Sequence, residues 1–214
     1  MLKSWEINLT ELSLEGEENS KKICAIEKAY VNGHLILKNA GDSLAEFLCG
    51  DILVEDKVFK NLQISFKGSN LKNSGGCLYI NGHPVTLNGL ANMEITPPVK
   101  LHITMTIPAD SAVEVERILL TAQEEPQDLV DNCSPDNDVL VITPDYPSTH
   151  NLYLCAFAHS RNREYIGNGL NIQVASISPN NWYQSVYELD GVPVFTGRYQ
   201  DLKKLLSRHQ YKVI

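Results

Sequence analysis

Polar and apolar residues alternate in short stretches along the first 120 positions. The stretches are Trp5 to Leu9, Ile23 to Val31, Leu35 to Leu37, Ala45 to Val54, Phe59 to Phe66, Leu78 to Ile80, Val85 to Leu87, Met93 to Ile95, Leu101 to Ile107 and Val113 to Leu120. A period of two puts one face of each stretch on a core and the other in water, which is the signature of half-buried β-strands. Two turns are sharply marked, Val31-Asn32-Gly33-His34 and Ile80-Asn81-Gly82-His83. Asn-Gly between alternating runs favours a type I′ hairpin, because both residues tolerate positive φ. Pro97-Pro98 and Pro108-Ala109-Asp110 punctuate the later strands. Short strands at this spacing predict two packed antiparallel sheets, in a jelly-roll-like order.

The pattern changes at Asp138. Val139-Leu140-Val141-Ile142 is continuously apolar, as a parallel strand buried on both faces is. A loop with Pro144 and Pro147 follows, then a helix of about four turns that Ser148 or Thr149 can cap and that closes near Gly167 to Gly169. Ile172 to Ile177 completes a strand–helix–strand unit, and the loop after its first strand is where such units place ligand chemistry. Val192 to Phe195 is a short further strand, with Pro193 marking an edge or a strand start. Tyr199, Leu202, Leu205 and Leu206 fall at helical spacing, and Tyr211 to Ile214 opens another strand. The predicted fold class is therefore in two parts: an all-β antiparallel sandwich over 1–122 and a partial α/β, Rossmann-like unit over 139–214. Residues 123–138 lie between them as an acidic linker.

Composition sharpens this division. The 214 residues are 43% hydrophobic and 21% charged, ordinary for a globular protein. Positions 123–138 hold six acids and no Lys or Arg, which accounts for most of the net charge of −8 and reads as a solvated linker. No basic stripe is available to neutralise phosphates, which argues against a nucleic-acid partner. The five cysteines are odd in number, widely spaced and contain no C-x-x-C pair, so neither a disulfide framework nor a metal cluster is indicated. No secretory leader is evident at the start and no apolar run is of membrane-spanning length, which gives an expectation of a cytoplasmic protein with no transmembrane segment.

Candidate chemistry falls in two places. On the sandwich, Trp5, Tyr30, Phe59 and Tyr79 are aromatics that could stack on sugar rings, and alternation fits them equally well to the core. On the α/β part, the loop Thr143 to Asn151 occupies the carboxyl end of the first strand, where Asp145, Tyr146, His150 and Asn151 could meet ligand hydroxyls, with Arg161 on the helix beyond. No residue is assigned a catalytic role or a metal. No G-x-G-x-x-G, Walker A, G-x-S-x-G or H-E-x-x-H motif is present.

Leu140-Val141-Ile142-Thr143-Pro144-Asp145-Tyr146-Pro147, Cys155 to Arg161, Gly169 to Val174 and Tyr187 to Val194 together resemble the opening of a retaining GT-B glycosyltransferase. The resemblance implies a nucleotide-sugar donor and a glycan or other acceptor. It also implies that the donor domain is missing here, so that this chain alone would be inactive beside the remainder of such an enzyme. No cofactor is implied within the chain itself. The competing reading is a non-catalytic carbohydrate-binding or protein-interaction module. Open sheet edges at 139–142 and 211–214 would favour pairing with another chain, including a homo-oligomer.

Overall fold

A computed structural model describes residues 2–11, 13–14, 26–42, 44–73, 76–133, 137–148, 155–179, 181 and 183–214. The strands are β1 (Leu2–Glu6), β2 (Ser13–Leu14), β3 (Ile26–Val31), β4 (His34–Asn39), β5 (Ala45–Val54), β6 (Asn61–Lys72), β7 (Cys77–Ile80), β8 (His83–Thr86), β9 (Gly89–Glu94), β10 (Val99–Ile107) and β11 (Ser111–Gln123). They continue with β12 (Val139–Thr143), β13 (Ile172–Ile177), β14 (Gln184–Leu189) and β15 (Val192–Gly197). Helix α1 (Ala156–Gly167) joins β12 to β13, and α2 (Tyr199–Arg208) follows β15.

The strands form two sheets. The smaller runs β2-β5-β10-β7-β8, and the larger runs β12-β13-β15-β14-β9-β6-β11-β4-β3, with β1 also paired to β11. Inward residues of both sheets share one core. Leu35, Leu37, Leu62, Ile64, Phe66, Val113 and Ile118 on the large sheet meet Phe47, Leu78, Ile80, Leu101, Ile103, Met105 and Ile107 on the small one. Asn32 and Gly33 (φ 53° and 85°), Asn81 and Gly82 (49° and 82°) and Asp190 and Gly191 (49° and 80°) turn three hairpins through positive φ. Gly68 is required for a different reason. A Cβ there would lie 2.1 Å from the carbonyl oxygen of Glu114 on β11, beside the register shift between Val115 and Arg117.

The Rossmann-like second part does not form. Among the described residues the chain is mostly β-sheet, 54% strand with two short helices, and the fold class is corrected to nearly all-β. β12 and β13 are parallel with α1 between them. They do not grow into a doubly wound unit because of what borders them. Beyond β13 lies β15, whose next neighbour is its own antiparallel hairpin partner β14, and β14 pairs with β9 of the sandwich. The apolar runs around β12 and β13 therefore extend one sheet and do not found another. α1 and α2 cover opposite faces of this extension. Tyr146, Ile172, Val174, Tyr187 and Val194 pack toward α1. Leu140, Ala175, Ile177 and Phe195 pack with Leu205 of α2. Helix α1 starts at Ala156 with Cys155 as its N-cap residue, and not at Ser148; Thr149 lies outside the described residues. The two edges expected to be open partly pair with each other: Val139 and Val213 form a parallel bridge, and Leu140 N–H donates to the Val213 carbonyl at 2.9 Å.

The acidic run is not solvated throughout. Leu129 and Val130 are fully buried in a short 3-10 turn, Leu129–Asn132, and Cys133 is buried beside them. Outward-facing amides on three adjacent strands hold this strap down. Gln63 donates to the Gln127 side chain at 2.8 Å, Asn92 donates to the Gln127 carbonyl, and Gln184 accepts from Leu129 N–H at 2.9 Å while donating to Asp128 at 3.2 Å. From the other side Lys204 and Arg208 of α2 pair with Asp128 at 2.9 and 3.3 Å, and Arg208 pairs with Asp131 at 2.7 Å. Two of the six acids, Asp128 and Asp131, thus dock α2, and Asp138 pairs with Lys212 at 2.7 Å. Among the described residues no helix is long and apolar enough to cross a membrane.

Candidate ligand cavity at the carboxyl ends of the parallel strands

β12, β13 and β15 run in the same direction, so their carboxyl ends open at one side of the sheet. A cavity of about 140 Å³ lies there. The loop after β12 contributes Pro144, Asp145, Tyr146 and Ser148; the end of β13 contributes Ser176; and the hairpin contributes Ser185, Tyr187 and Thr196. Asn181 and Tyr183 precede β14, and Pro84 and Thr86 come from β8 of the small sheet. The sandwich and its extension thus share the wall. Tyr183 ties them directly, its hydroxyl donating to the Pro84 carbonyl at 3.0 Å.

The lining is rich in hydroxyls, with the amide of Asn181, and among the described residues Asp145 is its one charged side chain. Ser185 and Thr196 hydrogen-bond each other at 2.6 Å across the β14–β15 pair. Asn181 donates to the Gly197 carbonyl at 3.0 Å and so closes the end of the sheet. Burial pushes the Tyr183 phenol up to about 12 and raises Tyr187 further, so both rings present neutral hydroxyls.

The loop that forms one wall is pinned at three points. Thr143 donates to the Asp145 carbonyl at 2.8 Å, and Tyr187 donates to the Pro147 carbonyl at 2.8 Å. Tyr146, buried against α1, sits 3.0 Å from His159 Nδ1 and accepts from Asn162 at 3.1 Å. His159 Nε2 lies 3.2 Å from Asp190, which also stands 3.5 Å from Arg163. A carboxylate can only accept, so Nε2 donates to Asp190, and in that tautomer Nδ1 accepts from the Tyr146 hydroxyl. Burial raises the Tyr146 phenol, with the Asn162 bond opposing it. The wall is therefore preorganised before any ligand arrives.

Of the residues singled out from sequence, Asp145 stands exposed at the cavity rim and Tyr146 is buried in its wall. Arg161 is exposed on α1 and does not line the cavity. His150 and Asn151 lie outside the described residues. The aromatics of the sandwich are not gathered into one platform. Trp5 packs against the core with Lys3 Nζ 5.1 Å from its ring centroid, Tyr30 is 43% exposed on β3, and Phe59 is buried. Tyr79 belongs to the small sheet, where burial pushes its phenol up to about 12. Ser176, Asn181, Tyr183, Ser185, Tyr187 and Thr196 were not anticipated as lining. The available signal was Ser176, which alternation puts on the same face of Ile172–Ile177 as the apolar Ile172 and Val174. His159 and Asn162, three apart on α1, carried the helical spacing of a shared face.

No protein-family model matches the chain, and no curated protein matches it. The resemblance to a GT-B glycosyltransferase therefore has neither a Rossmann-like unit nor a family match behind it, and it does not hold. Among the described residues no group of three or more His, Cys, Asp or Glu is placed to hold a metal ion.

Proposed function

We propose that the chain is a non-catalytic module that binds a small neutral sugar in the cavity at the carboxyl ends of β12, β13 and β15. The observation that carries this reading is the lining: hydroxyls of Ser176, Ser185, Thr196 and Thr86, the amide of Asn181, tyrosine edges, and a single carboxylate. Sugars present alternating donors and acceptors without charge, and hydroxyl and amide side chains can serve as both. Drug-sized ligands occupy about 300–1,000 Å³. A cavity of about 140 Å³ suits one small ring or the terminal unit of a glycan. Asp145 at the rim would accept from a pair of neighbouring hydroxyls, the strongest kind of bond such a ligand can make.

The reading is tested by calorimetric titration of the full chain with glucose, galactose, mannose and N-acetylglucosamine at millimolar concentrations. Binding of at least one, weakened by Thr196→Val and by Ser185→Ala, is expected. Absence of heat with all four, or binding indifferent to both substitutions, would refute it.

A further inference from the structure

A second cavity, of about 300 Å³, lies under the start of the strap, where the pairing of β9 with β14 runs out. The outward face of the sheet contributes Asn61, Asn92 and Glu94, the strap covers them, and the first turn of α2 closes one side. Asn61 stands directly opposite Glu94 across β6 and β9, and Asn92 is two residues before Glu94. Alternation therefore puts all three side chains on one face, about 5–7 Å apart.

Asn61 and Asn92 are each only 7% exposed. Asn61 donates to the Glu124 carbonyl at 3.3 Å, and Asn92 donates to the Gln127 carbonyl. A carbonyl only accepts, so the nitrogen of each amide faces the strap and the oxygen is the end left over. Neither oxygen accepts a hydrogen bond among the described residues. The fully buried side-chain polar atoms without a partner, among those residues, are on His209 and Tyr211. Both asparagine oxygens thus reach open space, and the cavity that both residues line is that space. An amide acceptor held at such depth costs stability until a donor meets it. Glu94 adds a third acceptor, exposed and without an ion pair or hydrogen bond among the described residues. The other lining acids are committed: Asp128 pairs with Lys204 at 2.9 Å, and Asp201 accepts from Gln184 at 2.7 Å and from Arg198 N–H at 2.8 Å. With Arg198, three acids stand against two bases, an excess of one negative charge.

We infer that this cavity binds a small primary amine as its ammonium ion. Three N–H groups on one nitrogen match three acceptors on one face, and the positive charge meets the uncommitted Glu94 carboxylate. An alkyl or aryl body rests on Met93, Pro126 and the Tyr183 ring, the apolar part of the lining. A volume of about 300 Å³ is at the small end of ligand sites and admits one ring with a short arm.

The test is a titration of the full, isotope-labelled chain with benzylamine at neutral pH, followed by amide chemical shifts, with benzyl alcohol as the uncharged counterpart. Saturable shifts at residues 61, 92–94, 127–128 and 183–184 are expected, with the alcohol binding at least about tenfold more weakly. Glu94→Gln keeps the shape of an exposed side chain, removes its charge, and should weaken the amine about tenfold, which is ~1.4 kcal/mol. Asn61→Ala should weaken it as well, with unmoved amides at 32–33 showing an intact fold; if that variant does not fold, Glu94→Gln decides alone. The inference is overturned if benzylamine leaves those amides unmoved, so that water alone serves the asparagine oxygens, if the alcohol binds equally well, or if Glu94→Gln leaves the affinity unchanged. Asn61, Asn92 and Glu94 do not line the sugar cavity, so none of these outcomes bears on sugar binding.

Discussion

Replacing Asp128 by Asn tests how the acidic strap is held. Asp128 accepts from Val130 N–H at 3.3 Å and Gln184 at 3.2 Å, and pairs with Lys204 at 2.9 Å and Arg208 at 3.3 Å. The substitution keeps the shape and removes the charge. A hydrogen bond to a charged group contributes about 1.5–3 kcal/mol when well buried. Here Asp128 is 20% exposed but Lys204 and Arg208 are 47% and 39% exposed, so solvent screens their share. The expected loss is about 1–3 kcal/mol, by the same scales for charge-assisted and exposed pairs. In a chain of this length that is a fall in Tm of about 2–4 °C per kcal/mol. Urea unfolding of both proteins, followed by circular dichroism across pH, is the assay. Burial alone would raise the Asp128 carboxyl, but Lys204, the Val130 amide and Gln184 together outweigh it and hold it below the usual carboxylate range. A depressed folded pKa gives stability that is present above the unfolded value of about 3.9 and lost as pH falls through the folded one. The gap between the two proteins should therefore be open at neutral pH and close in acid. Equal stability at pH 7, or a gap that persists below the titration of Asp128, would refute this account of the strap.

Three further outcomes follow from packing and bonding. Leu205→Ala removes a fully buried side chain from between Phe195 and Leu129 and should cost about 2–5 kcal/mol by urea unfolding. Gly68→Ala forces a Cβ against the Glu114 carbonyl and should cost at least about 1–3 kcal/mol in the same assay, since backbone must move. Tyr146→Phe and His159→Phe should each destabilise, and a double-mutant cycle should return a coupling of about 0.5–3 kcal/mol, because they share a buried hydrogen bond at 3.0 Å.

Local structure was the most legible part of the sequence. Asn32-Gly33 and Asn81-Gly82 demand positive φ and take it, and Leu202, Leu205 and Leu206 mark α2 through their helical spacing. What failed was assembly. A continuous apolar run such as Val139–Ile142 marks a strand but neither its burial nor its sheet: only Leu140 is fully buried and Ile142 is exposed. The sheet it joins depended on β14 pairing with β9, a contact between residues about 95 positions apart whose side chains, Val186 and Leu90, look like any other strand positions. The acidic run misled for a related reason. Composition counts charges, whereas the fold depends on Leu129 and Val130 within the run and on Lys204 and Arg208 far along the chain. The cavity was half legible. Its loop sits where the end of a parallel strand requires, and Asp145 and Tyr146 reach it, but the serine and threonine walls come from strands that only the assembled sheet brings together.

The most direct test of the proposed function is an amide-shift map of the full chain, recorded with the best-binding monosaccharide of the four. Sugar binding at the proposed site predicts shifts at Asp145, Ser176, Asn181, Ser185 and Thr196, with the outward face at 186 and 188 and the distant hairpin at 32–33 unmoved. Shifts centred elsewhere, on Trp5, Tyr30 or Tyr79, or no shifts at saturating sugar, would contradict it.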